Sequence, residues 1–129
     1  MNKIILDSSA WVEYLAGTAK GKKVSEKVDV AETRVFIIGP TISEILVKYL
    51  REKQNAESAI LAMRTIPLLV PVDFSISEQT AKIYFEQRKQ HQKFSLIDAL
   101  VASAGRAIGA TLITCDFDFS GLPNVIIVQ

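Results

Sequence analysis

Two hydrophobic patterns alternate along this chain: short continuous apolar runs, and longer segments whose apolar residues recur at helical spacing. The continuous runs are rich in β-branched residues, which is typical of parallel strands covered on both faces. Four of them predict strands, at 3–6, 35–38, 110–114 and 125–128. The run at 68–72 contains Pro71, so it predicts either a short edge strand or an extended connection.

The segments with helical spacing predict six helices. They lie at 10–16, 19–28, 41–53, 56–66, 77–92 and 95–109. The apolar stripe of the third comprises Ile42, Ile45, Leu46, Tyr49 and Leu50, and the fifth is predicted to turn Ala81, Tyr84 and Phe85 inward. Strands alternating with helices predict an α/β fold, a three-layer α/β/α sandwich with a mainly parallel central sheet.

The composition adds limits to this picture. With 129 residues, 49% hydrophobic and 22% charged, the chain is in the globular range and is expected to form one domain over residues 1–129. No apolar run is long enough for a membrane span or a signal peptide. The single cysteine, Cys115, cannot form an internal disulfide. We therefore expect a cytoplasmic protein with no membrane partner.

Five acidic residues lie at the ends of strands or the starts of helices. Asp7 directly follows the first predicted strand, and Asp116 and Asp118 follow a later one. Glu44 and Asp98 lie in the first turns of two predicted helices. Because the carboxyl ends of parallel strands meet at one edge of a sheet, these carboxylates are expected to converge there. The negative charges of such a cluster repel one another unless a cation is bound. Mg²⁺ and Mn²⁺ prefer oxygen ligands of this kind.

Each acid also has a simpler structural explanation. Glu44 and Asp98 each follow a hydroxyl residue by three positions, Thr41 and Ser95, as in a capping box. Asp7 could cap the helix that follows it, and the last two acids could lie in a solvated turn. Capping does not exclude metal binding, and the joint placement of all five favours a metal site.

Four segments, taken in order, resemble the motifs of PIN domain proteins, specifically the toxins of VapBC-type toxin–antitoxin pairs. They are "IILDSSAWVEYL", "TISEILVKYL", "FSLIDALVASAG" and "LITCDFDFSGLPNVIIV", and together they cover essentially the whole chain. The resemblance implies a PIN-like fold. It also implies that the metal-binding and catalytic carboxylates are Asp7, Glu44, Asp98 and Asp116, with Asp118 as a more variable metal ligand. Hydroxyl positions near the site match Ser8 or Ser9 and Thr114.

The resemblance implies an endoribonuclease that depends on Mg²⁺ or Mn²⁺, acts on RNA as a homodimer and is inhibited by a small cognate antitoxin protein. The residues agree with this chemistry, because the motifs contain no histidine and the chain has no pair of cysteines for nucleophilic catalysis. A metal held by carboxylates can instead activate a water for in-line attack at phosphorus. Glu44 or Asp118 is our candidate for orienting that water.

Other functions share part of this residue pattern. The segment around Asp116 and Asp118 also resembles the strand-Asp-x-Asp start of haloacid-dehalogenase-type phosphatases. Only eleven residues follow Asp118 and none is lysine, which argues against such a phosphatase and against a receiver domain. A non-catalytic PIN-like scaffold and a nuclease directed at DNA remain open.

The remaining charges and the only histidine give weaker signals. Without the five acids, nine Asp and Glu remain against 15 Lys and Arg. This excess of positive charge on the rest of the chain suits a polyanionic substrate. Six basic residues have two alternative roles, contact with a phosphate backbone or ordinary helix surface. They are Lys20, Lys22, Lys23, Arg88, Lys89 and Lys93. His91 is predicted to lie on a solvated face without a functional partner. The core, or a dimer face, is predicted to contain Trp11, Val12 and Leu15.

Overall fold

A five-stranded sheet is the centre of the computed structural model, which describes residues 2–129. All neighbouring strands pair in parallel, in the order β3-β2-β1-β4-β5. The strands are β1 (Asn2–Leu6), β2 (Thr33–Ile37), β3 (Leu68–Leu69), β4 (Thr111–Thr114) and β5 (Val125–Ile127). The edge position of β3 is the one that Pro71 predicted.

Six helices and one turn of 3₁₀-helix connect the strands. The helices are α1 (Ser8–Ala16), α2 (Ala19–Val28), α3 (Gly39–Arg51), α4 (Glu57–Thr65), α5 (Phe74–Gln87) and α6 (Leu96–Ile108), and the 3₁₀ turn is Phe117–Phe119. Most boundaries lie within two residues of the predicted ones. No helix in residues 2–129 is long and apolar enough to cross a membrane.

Each face of the sheet is covered by its own apolar core. One core contains Trp11, Ile37 and Ile45, which come from α1, β2 and α3. The other contains Phe94 and Val101 and lies under α5 and α6. Trp11 is fully buried, which places it in the core, and Val12 and Leu15 pack against the same cluster. The predicted three-layer α/β/α arrangement is therefore confirmed.

The fifth helix differs most from its prediction. It begins at Phe74 instead of 77, because the Asp73 side chain accepts a hydrogen bond from the amide of Ile76 at 2.9 Å and caps it there. It ends at Gln87 instead of 92. The chain from 88 to 95 then turns back towards the sheet edge, and Phe94 is buried in the second core.

The buried face of α5 was predicted wrongly at Ala81 and Phe85, whereas Tyr84 packs against the second core as predicted. Its buried residues are Ile76, Thr80 and Ile83, whereas Ala81 and Phe85 are exposed and Tyr84 is half-buried. The reason is that Thr80 is compatible with burial, since its hydroxyl donates to the Ile76 carbonyl oxygen at 2.7 Å. Because the central residue of the buried face is polar, the spacing of the apolar residues alone indicated a different face of the helix.

One residue of the predicted α3 stripe also lies outside. Leu50 is 77% exposed, although Ile45 is buried and Ile42, Leu46 and Tyr49 pack against the first core. Leu50 is in the last turn of α3, where Tyr49 still packs against this core but Leu50 does not.

The corner between α1 and α2 requires a glycine at position 21. A Cβ atom there would lie 1.9 Å from the carbonyl oxygen of Glu13, in the backbone of α1. We expect Gly21→Ala to lower the free energy of unfolding by roughly 1–3 kcal/mol, because overpacking outweighs the gain in helix propensity. Gly39→Ala is the matched control, because a Cβ there meets nothing within 4 Å. Urea unfolding that gives both variants the same stability would contradict this.

Candidate active site

Asp7 is the most buried of the five acids, with only 2% of its surface exposed. It follows β1 and caps α1, since its Oδ1 accepts a hydrogen bond from the amide of Ala10 at 3.0 Å. The Ser9 hydroxyl donates to the same oxygen at 2.8 Å, and the Thr114 hydroxyl donates to Oδ2 at 2.7 Å. The predicted capping role is confirmed, and hydrogen bonds hold both carboxylate oxygens in place.

The two hydroxyls that hold Asp7 also hold the end of β4. The Ser9 oxygen accepts a hydrogen bond from the amide of Cys115 at 3.0 Å, and the Thr114 oxygen accepts one from the amide of Asp116 at 2.9 Å. This bridge is possible because β1 and β4 are neighbours, with Leu6 paired to Ile113. It fixes the backbone that carries Asp116 relative to Asp7.

Asp98 is held by the capping box that its spacing predicted. The amide of Ser95 donates to Asp98 Oδ2 at 2.9 Å, and the amide of Asp98 donates to the Ser95 hydroxyl at 3.0 Å. Burial raises the pKa of Asp98, and the negative charges of Asp116 and Asp118 raise it further, against the opposing hydrogen bonds from Ser95. Asp98 therefore faces the two acids that follow β4.

The corresponding capping box at the start of α3 is absent from the described residues, so that prediction was wrong. The helix begins at Gly39, after Ile38, with Pro40 in its first turn. Thr41 therefore lies inside the helix, where it is fully buried. Gly39 and Pro40 fall between the predicted strand at 35–38 and the predicted helix at 41–53, where they suggest the end of the strand, but proline is also favourable in the first turn of a helix.

Without that box, Glu44 lines a cleft together with Ser8 of α1. Burial raises the pKa of Glu44, hydrogen bonding from the Ser8 hydroxyl opposes the rise, and the charge of Asp98 adds to it. Ser8 and Ser9 therefore have separate roles, since Ser8 interacts with Glu44 and Ser9 with Asp7. Both predicted serines lie at the site.

The turn that carries the last two acids rests against the end of α5. Gln87 Nε2 donates to the carbonyl oxygens of Asp118 at 2.9 Å and Ser120 at 2.8 Å. His91 Nδ1 lies 3.7 Å from Asp118 Oδ1. His91 is therefore only half-exposed and close to one acid, so it is less solvated than the sequence predicted. Sequence reasoning also missed Gln87, because nothing in a polar helix indicates which side chain will meet a turn 31 residues later.

The five acids are electrostatically connected across four segments of the chain. Burial is the largest cause that raises the pKa of Asp7 from 3.8 to about 7, and the charge of Asp98 contributes in the same direction. Asp98 thus interacts with all four others. Within residues 2–129, however, no three His, Cys, Asp or Glu side chains are grouped closely enough to hold a metal ion as they stand.

The donor chemistry nevertheless suits a hard divalent cation. All five candidate ligands are carboxylates, the ligand type that Mg²⁺ and Mn²⁺ prefer. Across the described chain, hydrogen bonds engage only Oδ2 of Asp98 and only Oδ1 of Asp116. Each of these side chains therefore has a second oxygen available to a cation.

An open cleft of about 940 Å³ extends from the site between α1 and α3. Ser8, Ser9 and Glu44 line one part of it. Its basic lining residues are Lys20, Lys48 and Arg51, of which only Lys20 was singled out in the sequence. Two other basic candidates make local contacts: Lys89 pairs with Glu86, and Lys23 donates to the carbonyl oxygen of Gln129.

Comparison with known proteins agrees with this architecture. The family model described as the PIN domain matches residues 4–124. The chain belongs to the PIN domain family. The matched residues include most of the four segments that resemble PIN domain motifs. The family that the resemblance implied is therefore confirmed.

Three known proteins illustrate what the chain is similar to. The chain is 29% identical to Ribonuclease VapC2 of Methanocaldococcus jannaschii over 91% of this chain and 85% of the relative. Its fold is similar to VapBC2 from Rickettsia felis, solved with a promoter DNA fragment, with a TM-score of 0.75, 16% identity and coverage of 97% and 96% of the two chains. It is also similar to the sarcin-ricin loop cleaving toxin VapC20 of Mycobacterium tuberculosis, with a TM-score of 0.69, 21% identity and coverage of 95% and 98%.

The buried charge at Asp7 predicts how stability depends on pH in this PIN domain. The folded protein keeps the Asp7 proton to a higher pH than the unfolded chain does, so the free energy of unfolding falls as the pH rises from about 4 to about 7. We expect Asp7→Asn to remove this dependence. With EDTA present, the variant should gain roughly 1–3 kcal/mol relative to the natural protein between pH about 4.5 and pH about 8.

Urea unfolding at the two pH values measures this difference. Asp73→Asn is the matched control, because Asp73 caps α5 in the same way but is exposed. A stability difference for Asp7→Asn that is identical at both pH values would show that burial of this charge has no energetic consequence.

Proposed function

We propose that this PIN domain protein is an endoribonuclease that depends on Mg²⁺ or Mn²⁺ and acts as the toxin of a VapBC-type toxin–antitoxin pair. The observation that carries the proposal is the placement of Asp7 and Asp116 after the neighbouring strands β1 and β4, joined through Thr114, with Asp98 interacting electrostatically with all four other acids. The names of its relatives, a VapC ribonuclease and a loop-cleaving toxin, support the same function.

The proposed metal ligands are Asp7, Glu44, Asp98 and Asp116, with Asp118 beside them. Burial and mutual repulsion raise the pKa of Asp7, Glu44 and Asp98, so a cation at this place would relieve an unfavourable interaction already present in the fold. When bound, a divalent cation supplies Lewis-acid stabilisation of the charge that develops on the phosphate oxygens.

The chain's own residues provide the other requirements of phosphodiester hydrolysis. Ser9 and Thr114 hold Asp7 and the end of β4 in register. Glu44 lines the cleft and has a raised pKa, which moves it towards the range where a carboxylate orients and deprotonates water most effectively. Asp118 is the second candidate for that task. The attacking water forms a bond to phosphorus as the ribose oxygen departs.

The basic side chains of the cleft are suited to the RNA backbone. Lys20, Lys48 and Arg51 lie along the same cleft as Glu44, so a strand that crosses the acids can place neighbouring phosphates near positive charges. Lys48 also forms an ion pair with Glu52 at 2.6 Å, which leaves Lys20 and Arg51 as the stronger phosphate contacts.

A small antitoxin is the proposed protein partner. The structures with a similar fold include a toxin–antitoxin complex from Klebsiella pneumoniae, with a TM-score of 0.71 and 18% identity over 95% of each chain. We further propose that the protein is cytoplasmic and forms a homodimer, and both proposals rest on the family resemblance. The mass of the purified protein in solution tests the homodimer.

The function is tested with Asp98→Asn, because asparagine keeps an oxygen that can accept the capping bond from Ser95. We expect Mn²⁺ or Mg²⁺ to support RNA cleavage, EDTA to abolish it, and the variant to lose at least about 10–100-fold in rate. Glu57→Gln, an exposed acid in the first turn of α4, is the control and should be fully active.

The other functions give different results in the same assay. Cleavage that survives both EDTA and the substitution would contradict the proposal. Cleavage of single-stranded DNA as fast as RNA would favour the DNA-directed nuclease. RNA binding without cleavage under any metal condition would favour the non-catalytic scaffold.

Gln87 is predicted to support metal binding indirectly by holding the turn that carries Asp116 and Asp118. Gln87→Met keeps the size of the side chain but removes both donated hydrogen bonds. We expect the Mn²⁺ dissociation constant to rise about tenfold, as measured by calorimetry without RNA. Gln79→Met, an exposed position on the same helix, is the control. Equal affinities for the two variants would show that the contact has no effect on the site.

A further inference from the structure

The 3₁₀ turn at the acidic site contains two phenylalanines with opposite environments. Phe119 is fully buried and packs edge to face on Phe94, with ring centroids 5.2 Å apart. Phe117 is 62% exposed and lies between Asp116 and Asp118. The turn therefore uses one ring for the core and holds the other in solvent beside the acids.

Hydrogen bonds on both sides of Phe117 fix its backbone. The amide of Asp118 donates to Asp116 Oδ1 at 2.8 Å, and the amide of Ser120 donates to the Phe117 carbonyl oxygen at 2.9 Å. Gln87 binds the carbonyl oxygens of Asp118 and Ser120. Together with the buried Phe119, these bonds fix the backbone of the turn, in which the Phe117 side chain is exposed.

The other strongly exposed phenylalanines have different surroundings. Phe85 has the Lys89 ammonium 5.0 Å from its ring centroid. Phe74 is the first residue of α5. This end of the helix is held by the Ser103 hydroxyl, which donates a hydrogen bond to the Ile76 carbonyl oxygen. The other end of α5, at Gln87, contacts the acidic turn, so Phe74 is about 20 Å from it along the helix. Phe117 is the one that borders the carboxylates.

A second exposed apolar residue lies near these acids in the sequence. Leu96 is 58% exposed and lies two residues before Asp98, which interacts with Asp116 and Asp118. Carboxylates repel the phosphates of RNA, whereas the face of an aromatic ring binds a base without regard to charge. The exposed ring of Phe117, between two acidic residues, thus offers one contact that RNA can make before any charge is neutralised.

We infer that Phe117 stacks on a nucleobase adjacent to the cleaved phosphate and thereby determines which nucleotide lies across the carboxylates. This inference rests on the proposed ribonuclease function for the position of the cut, but the stacking itself requires only RNA binding. Because stacking requires an unpaired base, Phe117 contributes most to binding where the RNA strand is open at this nucleotide.

The test compares Phe117→Ala, Phe117→Leu and Phe117→Tyr with the control Phe74→Ala. With Mn²⁺, Phe117→Ala should raise KM for an RNA oligonucleotide roughly tenfold or more and leave kcat within about twofold. Phe117→Tyr should restore KM, and Phe117→Leu should not, because it keeps apolar volume without an aromatic face. Equal KM values for leucine and phenylalanine would overturn the stacking role.

Modified RNA separates stacking from other contacts and from catalysis. The KM penalty of Phe117→Ala should disappear on a substrate that lacks the base beside the cut. In EDTA, RNA with 2-aminopurine at that position should lose fluorescence on binding to the natural protein and to Phe74→Ala, but not to Phe117→Ala.

The two hypotheses can fail separately. If the natural protein cleaves RNA and Phe117→Ala behaves identically on both substrates and in the fluorescence assay, the stacking inference is wrong and the proposed function stands. If no variant cleaves RNA, but 2-aminopurine placed in turn at each position of a single-stranded RNA still loses fluorescence only when Phe117 is present, the proposed function is wrong and the base contact stands.

Discussion

The buried carboxylate of Asp7 is the constraint on which the candidate site depends. A charge at this depth is unfavourable unless hydrogen bonds or a cation stabilise it. The fold supplies three donors, from the start of α1 and from the hydroxyls of Ser9 and Thr114. They do not fully compensate for burial, because the pKa of Asp7 is still raised to about 7.

This incomplete compensation agrees with a binding site better than with a purely structural cap. An acid that only caps a helix can do so at the surface, as Asp73 does at the start of α5. Asp7 is buried beside further acids, and Asp98 is affected by the charges of Asp116 and Asp118. The fold thus retains a local electrostatic conflict, which is typical of functional sites in otherwise consistent structures.

Much of this could be predicted from the sequence, because the relevant signals are local. Apolar runs located the strands, and the spacing of Ser95 and Asp98 predicted a capping box that the structure contains. Local signals failed where two interpretations were equally good or where tertiary packing decided. Gly39 and Pro40 start α3 where they suggested a strand end. The contacts of Gln87 and His91 with the turn at Asp118 join positions far apart in sequence and had no local signal.

The central claim is that these carboxylates form one divalent-cation site. Its most direct test is a crystal structure grown with Mn²⁺, examined by anomalous diffraction at the manganese edge. The account predicts a strong anomalous peak between Asp7, Asp98 and Asp116, with Glu44 or Asp118 close to it. A protein that cleaves RNA in Mn²⁺ but shows no peak at this edge of the sheet, or shows its peak elsewhere, would contradict the account.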